Sequence, residues 1–370
     1  MVFRIRKTTA LAVPLMLALA ACGGAEQADL PGGGGGGGGD TQQLTFLMPA
    51  PSIIQYHPWH IAEELGYFEE EGVSVEIVAG DGSSSIIQQL LAGNADVAAP
   101  SAGATMLAVS TGRELTSVYQ YMYNNVFTLA APEDGGVTSI EDLKGGSVGV
   151  SDLAGGEVPL VRAALGQAGL ADGTDVTITP VGEGGALTVE ALRTEQVQAY
   201  SSSLFDVALV EAAGYPMVDI LPKELQAFPA NAVTTTPEIM EEKGDAIVGM
   251  MRAVAKAIVF ADANPEAAQA IGAKYAPEEF EDPNVVKFGW EAVDKIRAVP
   301  ETLGNDPRGL FDEKAYASYA EFLSQGTEEE GALQGEVDLE ALLNEEWIEE
   351  INDFDEAEVI KQAETYVVKN

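Results

Sequence analysis

The sequence predicts an α/β protein built on mostly parallel sheets with helices on their faces. Three observations carry this expectation. Short apolar runs alternate with helix-period segments from residue 44 onward, and the alternation restarts after Pro132. The third is bulk: an apolar content of 46% in 370 residues supplies more than one buried core and excludes a disordered acidic chain.

Residues 44–48 are a short apolar run, a first strand. A helix is predicted over 58–65, with Ile61, Leu65 and Phe68 at helical spacing and Gly66 as its stop. Residues 73–78 alternate as a second strand. Ser83, Ser84 and Ser85 then cap a helix whose Ile86, Ile87, Leu90 and Leu91 share one face, ended by Gly93. A third strand is predicted over 96–99 and a helix over 104–110. Past Pro132, strands over 147–150 and 175–181 alternate with helices over 158–168 and 187–194. Long helices dominate after Pro237.

Charge narrows the function. Fifty-nine acidic against 19 basic side chains give −40, which argues against nucleic acid or an anionic membrane surface as partner. One Cys excludes an intrachain disulfide and a cysteine-ligated metal site, and two His restrict catalytic designs. His57 and His60 lie three apart with no third ligand evident, so neither metal nor cofactor is expected. Between Glu328 and Glu364 stand 15 acids with Lys361 the only base. That distribution describes a solvated surface suited to high external salt, where screening suppresses self-repulsion.

The N-terminus reads as a signal. Arg4, Arg6 and Lys7 precede an uncharged, mostly apolar stretch over 8–21 that is too short to span a bilayer permanently. It ends in Leu19-Ala20-Ala21-Cys22-Gly23, which resembles the lipobox of bacterial lipoproteins. That resemblance implies lipidation at Cys22 and an extracytoplasmic protein anchored to the cell membrane. Loss of residues 1–21 removes three positive charges and takes −40 to −43. Residues 22–43, with eight unbroken glycines over 32–39, read as a flexible tether.

A second resemblance covers residues 44–290. Tyr56-His57-Pro58, Ile61-Ala62, Leu65-Gly66-Tyr67-Phe68 and Glu71-Gly72-Val73 come first. Leu91-Ala92-Gly93-Asn94-Ala95-Asp96-Val97-Ala98 and Asp142-Leu143-Lys144-Gly145-Gly146-Ser147 follow, then Phe260-Ala261-Asp262-Ala263-Asn264-Pro265. In this order they resemble the solute-binding proteins of ABC importers, in the branch with nitrate, sulfonate, taurine and thiamine-pyrimidine-precursor binders. The resemblance implies a two-lobed type II periplasmic-binding-protein fold, with mixed sheets, helices on both faces and a two-segment hinge. Crossings are expected near 130–133 and 227–233, giving lobe one as 44–131 plus 232–370 and lobe two as 132–231. It also implies a monomer that delivers a small molecule to a permease and ATPase complex.

Ligands of open α/β sheets sit beyond the carboxyl ends of strands. Candidate ligand contacts in the strand-to-helix loops and crossings are therefore Tyr56, His57, Trp59, Ser84, Ser101, Tyr121, Gly156, Glu157, Ser202 and Asn231. Aromatic rings stack on flat ligands, while an acidic group pairs with exocyclic or protonated nitrogens and repels a sulfonate. A heteroaromatic ligand resembling a thiamine pyrimidine precursor is thus favoured. The serine loops and glycine-flanked helix starts serve an anion such as sulfonate, taurine or nitrate equally well. Each feature also has a structural use: Ser83 to Ser85 as a cap, Tyr119, Tyr121 and Tyr123 as sheet packing, Trp59 as core, Glu157 at a helix dipole. A sensory binding lipoprotein remains a further reading. An enzyme like the fungal pyrimidine synthase, which relies on a cysteine-rich segment, has no residues here to run on.

Overall fold

The computed structural model describes residues 41–153, 155–304, 307–324 and 333–368. The expected signal, Cys22 and the glycine run lie outside the described residues. Two five-stranded mixed sheets organise the chain. The first holds β1 (Gln42–Met48), β2 (Val73–Ala79), β3 (Val97–Ala98), β4 (Thr116–Gln120) and, from much later in the chain, β10 (Ala232–Thr235). Its order is β2-β1-β3-β10-β4. The second holds β5 (Phe127–Pro132), β6 (Ser147–Val150), β7 (Thr177–Pro180), β8 (Ala199–Ser203) and β9 (Met217–Asp219), in the order β7-β6-β8-β5-β9.

Both sheets follow one plan. β1 runs parallel to β2 and β3, and β6 parallel to β7 and β8. Parallel neighbours need a crossover helix. In the first lobe these are α1 (Ile53–Glu64), α2 (Tyr67–Glu70) and α3 (Gly82–Leu91), with α4 (Ala102–Ser110) following β3. In the second they are α5 (Val158–Gln167) and α6 (Ala186–Arg193), with α7 (Leu204–Ala212) and α8 (Lys223–Gln226) after β8 and β9. An antiparallel strand closes each set: β10 lies against β3 and β4, and β5 against β8 and β9.

Helices after β10 return to the first lobe: α9 (Pro237–Ala263), α10 (Pro265–Tyr275), α11 (Pro283–Arg297), α12 (Glu313–Ser324), α13 (Leu339–Leu342), α14 (Ile348–Ile351) and α15 (Glu356–Thr365). α9 is the spine of that lobe. Its residues from Ala246 to Ala261 are almost all buried, in one apolar cluster with Leu44, Phe46, Trp59 and Ile61.

Two expectations change. Gln42 and Gln43, assigned to the tether, pair with Val73 and Ser74, so β1 begins two residues earlier. The first crossing is 121–126 rather than 130–133, because Phe127–Pro132 is already a strand of the second sheet. The return passes through 227–231.

Candidate functional site

The sequence places Tyr56 and His57 in a loop after β1 and Trp59 at the start of a helix; the structure folds all three into α1. Ser52 caps that helix, its hydroxyl accepting the Gln55 N–H at 3.3 Å. Glu279 completes the cap by accepting the Ile53 N–H at 2.7 Å, the Ile54 N–H at 3.3 Å and the Ser52 hydroxyl at 2.6 Å. Pro58, read as the helix start, is interior. It cannot donate to the carbonyl of Ile54, and the backbone relaxes at Tyr56 to φ −116° and ψ 23°. The His57 ring replaces the missing donor: its Nδ1 donates to that same carbonyl at 2.8 Å. Burial, with the Arg297 charge second, pushes His57 down to about 3, so the ring is neutral.

The aromatic residues serve one another. Trp59 stacks on Phe46 at 4.5 Å and meets Tyr121 edge-on at 4.8 Å, while Tyr56 lies against Tyr121 at 5.7 Å. The Tyr121 hydroxyl donates to the carbonyl of Gln55 at 2.6 Å. Asn231 donates to the carbonyl of Ala99 at 2.7 Å and to the Tyr56 hydroxyl at 3.4 Å. Tyr56, Trp59, Tyr121 and Asn231 thus come together as the buried top of the first lobe. His57 points elsewhere, stacked on Trp290 at 4.7 Å.

The polar loops of the first lobe converge next to this cluster. Ser101 caps α4, accepting the Ala104 N–H at 3.4 Å, and donates its own N–H to the Ser83 hydroxyl at 3.0 Å. It also bridges to Asn231. Ser84 is exposed on the first turn of α3. Ser83, which the list of candidate contacts omitted, is the serine that joins the loops.

The second lobe holds the densest chemistry, beyond the carboxyl ends of β6, β7 and β8. Glu157 folds back over Gly155 and accepts the Ser151 N–H at 2.8 Å and the Ser151 hydroxyl. Asp206 accepts from the Ser202 hydroxyl and from Ser203 at 2.8 Å. Tyr200 donates to the carbonyl of Gly182 at 2.7 Å and accepts the Gly184 N–H at 3.0 Å. Gly184 requires glycine twice over: its φ is +70°, and a Cβ would stand 2.2 Å from the Asp206 carbonyl. Gly156 is exposed, and a Cβ there would meet Phe127 at 2.6 Å.

Burial shifts both acids of this cluster in the same direction. Burial pushes Glu157 above the usual carboxylate range despite the Ser151 bonds that hold it down, and the charge of Asp206 adds to the rise. Burial raises Asp206 too, against the pull of Ser202 and Ser203. Two neighbouring carboxyl groups held this way accept hydrogen bonds and offer a partner to positive charge. The sequence reading missed Ser151, Tyr200 and Asp206. The Ser203-to-Asp206 spacing of a capped helix was a usable signal for Asp206.

Two α/β lobes, joined by two crossings and presenting polar loops at strand ends, define the periplasmic-binding-protein fold. The chain belongs to the NMT1/THI5-like family, whose match spans residues 54–268. No curated protein matches the sequence. Among solved structures, one from Bordetella bronchiseptica RB50 shares 22% identity with TM-score 0.67, covering 85% of this chain and 98% of that one. The alkanesulfonate-binding protein SsuA from Xanthomonas axonopodis pv. citri, bound to MOPS, shares 14% with TM-score 0.61, covering 83% and 100%. The periplasmic nitrate-binding protein NrtA from Synechocystis PCC 6803 shares 13% with TM-score 0.58, covering 84% and 88%. These neighbours share the fold that the resemblance implies. Among the described residues, no helix is long and apolar enough to cross a membrane.

Proposed function

We propose that the protein is an extracytoplasmic solute-binding lipoprotein, anchored through Cys22, that captures a nitrogen heterocycle between its lobes and delivers it to an ABC permease. The carrying observation is the buried Glu157, 1% exposed, with Asp206 beside it at the strand ends of lobe two. A thiamine-pyrimidine-precursor-like ring offers these acids an amino group and a protonatable ring nitrogen. From the first lobe, Ser84, Ser101 and Asn231 supply further polar contacts, and Gly156 lets the ligand approach the backbone. Closure is driven by contacts each lobe makes with one ligand. The protein acts as a monomer and turns nothing over.

A second reading keeps the same fold with an anionic ligand, favoured by the sulfonate- and nitrate-binding names of its structural neighbours. A thermal-shift screen of thiamine precursors, flavins, sulfonates, taurine and nitrate separates the two. We expect stabilisation by one heterocycle, without its consumption. Stabilisation by taurine or sulfonates alone overturns the heterocycle. Cys22→Ser should release the protein from membranes into the soluble fraction; continued membrane retention removes the anchor.

A further inference from the structure

A cavity of about 360 Å³ opens in the first lobe, lined by Tyr121 of the aromatic cluster and by none of the strand-end loop residues just described. Its walls come from the first crossing, the ends of α9 and α11, and the segment around Arg308. Three tyrosines spaced two apart, Tyr119, Tyr121 and Tyr123, line it together with Gln120. Gly309 makes the near wall possible. Its φ is +95°, and a Cβ would stand 2.3 Å from the Tyr119 ring, so only glycine lies flat on that face. From there it donates its N–H to the Tyr123 hydroxyl at 3.0 Å and accepts the Gln120 N–H at 2.9 Å.

Arg297 is the informative group. Its side chain is only 12% exposed, yet its one ion pair among the described residues is with Asp262, at 3.5 Å, and Asp262 is 58% exposed. No hydrogen bond to another described residue uses its five donors, although it lies over the Tyr121 ring at 5.8 Å. A largely buried guanidinium with unspent donors lowers its free energy by meeting an oxyanion. Arg308, by contrast, is spent on Glu356 at 3.0 and 3.3 Å. Beside Arg297 stand Asp262 and Asp294, both exposed at the cavity rim.

We propose that this cavity is a second binding site, distinct from the interlobe cleft, for a small zwitterion carrying an ammonium and a carboxylate on the same carbon. The carboxylate takes the Arg297 donors, the ammonium pairs with Asp262 and Asp294, and an apolar side chain lies along Tyr119 and Ile258. A lone anion would face the two aspartates, and a lone cation would leave Arg297 unserved. Because Tyr121 and Tyr123 belong to the first crossing, the occupied cavity touches the hinge.

The test is calorimetric titration of the full-length protein with L-phenylalanine, 3-phenylpropionate and 2-phenylethylamine. These share a ring and differ only in which charges they carry. Phenylalanine should bind at least tenfold more tightly than either single-charge analogue, and Arg297→Gln should weaken it at least tenfold. Equal or better binding of phenylpropionate or phenylethylamine overturns the proposal, as does no binding of phenylalanine. Unchanged affinity in Arg297→Gln places the ligand elsewhere and overturns it too. Should Arg297→Gln fail to fold, the rim variant Asp262→Asn provides the same readout: a severalfold loss is expected, and unchanged affinity overturns the site.

Discussion

At the scale of single residues, buried titratable groups decide how the protein meets acid. Burial holds His60 at about 4, and both of its ring nitrogens lie buried without a partner among the described residues. His57 sits at about 3. A histidine with a lowered folded value contributes stability that is complete above its unfolded value near 6.5 and is lost as pH falls toward the folded value. At about 1.4 kcal/mol per unit, His60 is worth on the order of 3 kcal/mol and His57 on the order of 5 kcal/mol at the acid limit. His60→Phe should therefore flatten the fall in Tm between pH 7 and pH 4.5; an unchanged slope removes His60 from the acid response. Glu157 has the opposite sign. Its raised value means that stability is complete below the usual carboxylate range and is lost as pH rises through the folded value. Glu157→Gln should relieve that loss, raising Tm at neutral pH, while weakening binding of the heterocycle about tenfold in titration. Unchanged affinity would exclude Glu157 from the site.

At the scale of elements, α1 shows how a helix start can be written far away in sequence. Glu279 alone satisfies two of its leading N–H groups and the Ser52 hydroxyl. Glu279→Ala should cost about 1–2 kcal/mol, read as a drop in the denaturation midpoint, whereas exposed Glu278→Ala should be near neutral. Equal effects would mean that the cap contributes nothing. Strands were legible because two-residue alternation survives any tertiary context, as in the 73–78 run that became β2. The start of α1 was not, because Pro58 reads as a first-turn residue and nothing local reveals that a histidine ring will replace its missing donor. The first crossing was misplaced for a related reason: the apolar run 127–132 reads alike in either sheet, and only its pairing with β8 and β9 assigns it. Of the candidate contacts, Glu157 lies in the segment between β6 and α5, as its position in the sequence suggested, whereas Ser202 lies within β8. Tyr56 and Trp59 are buried in the core, which aromatic residues beside a strand end serve as readily as a ligand.

At the scale of the whole molecule, excess negative charge sets the conditions of folding. The few bases are drawn into shared contacts: Arg252 reaches Glu71 at 2.7 Å and Glu350 at 3.4 Å, and Lys256 reaches Glu71 at 2.6 Å. With 59 acidic against 19 basic side chains, pairing cannot offset all of the repulsion, so salt must do so. Tm should rise as sodium chloride goes from 0.05 to 2 M; a flat or falling curve overturns that account. The two crossings carry the remaining consequence. Asn124 in the first donates to the carbonyls of Lys295 and Ala298 at the end of α11, and Phe228 in the second stacks on Tyr319 of α12 at 4.4 Å. The joint is therefore splinted on both straps. Opening has to shear packed helices past one another instead of swinging freely, and its travel is short. Capture and release should then register as altered amide exchange along 121–126 and 227–231, with little change in radius of gyration.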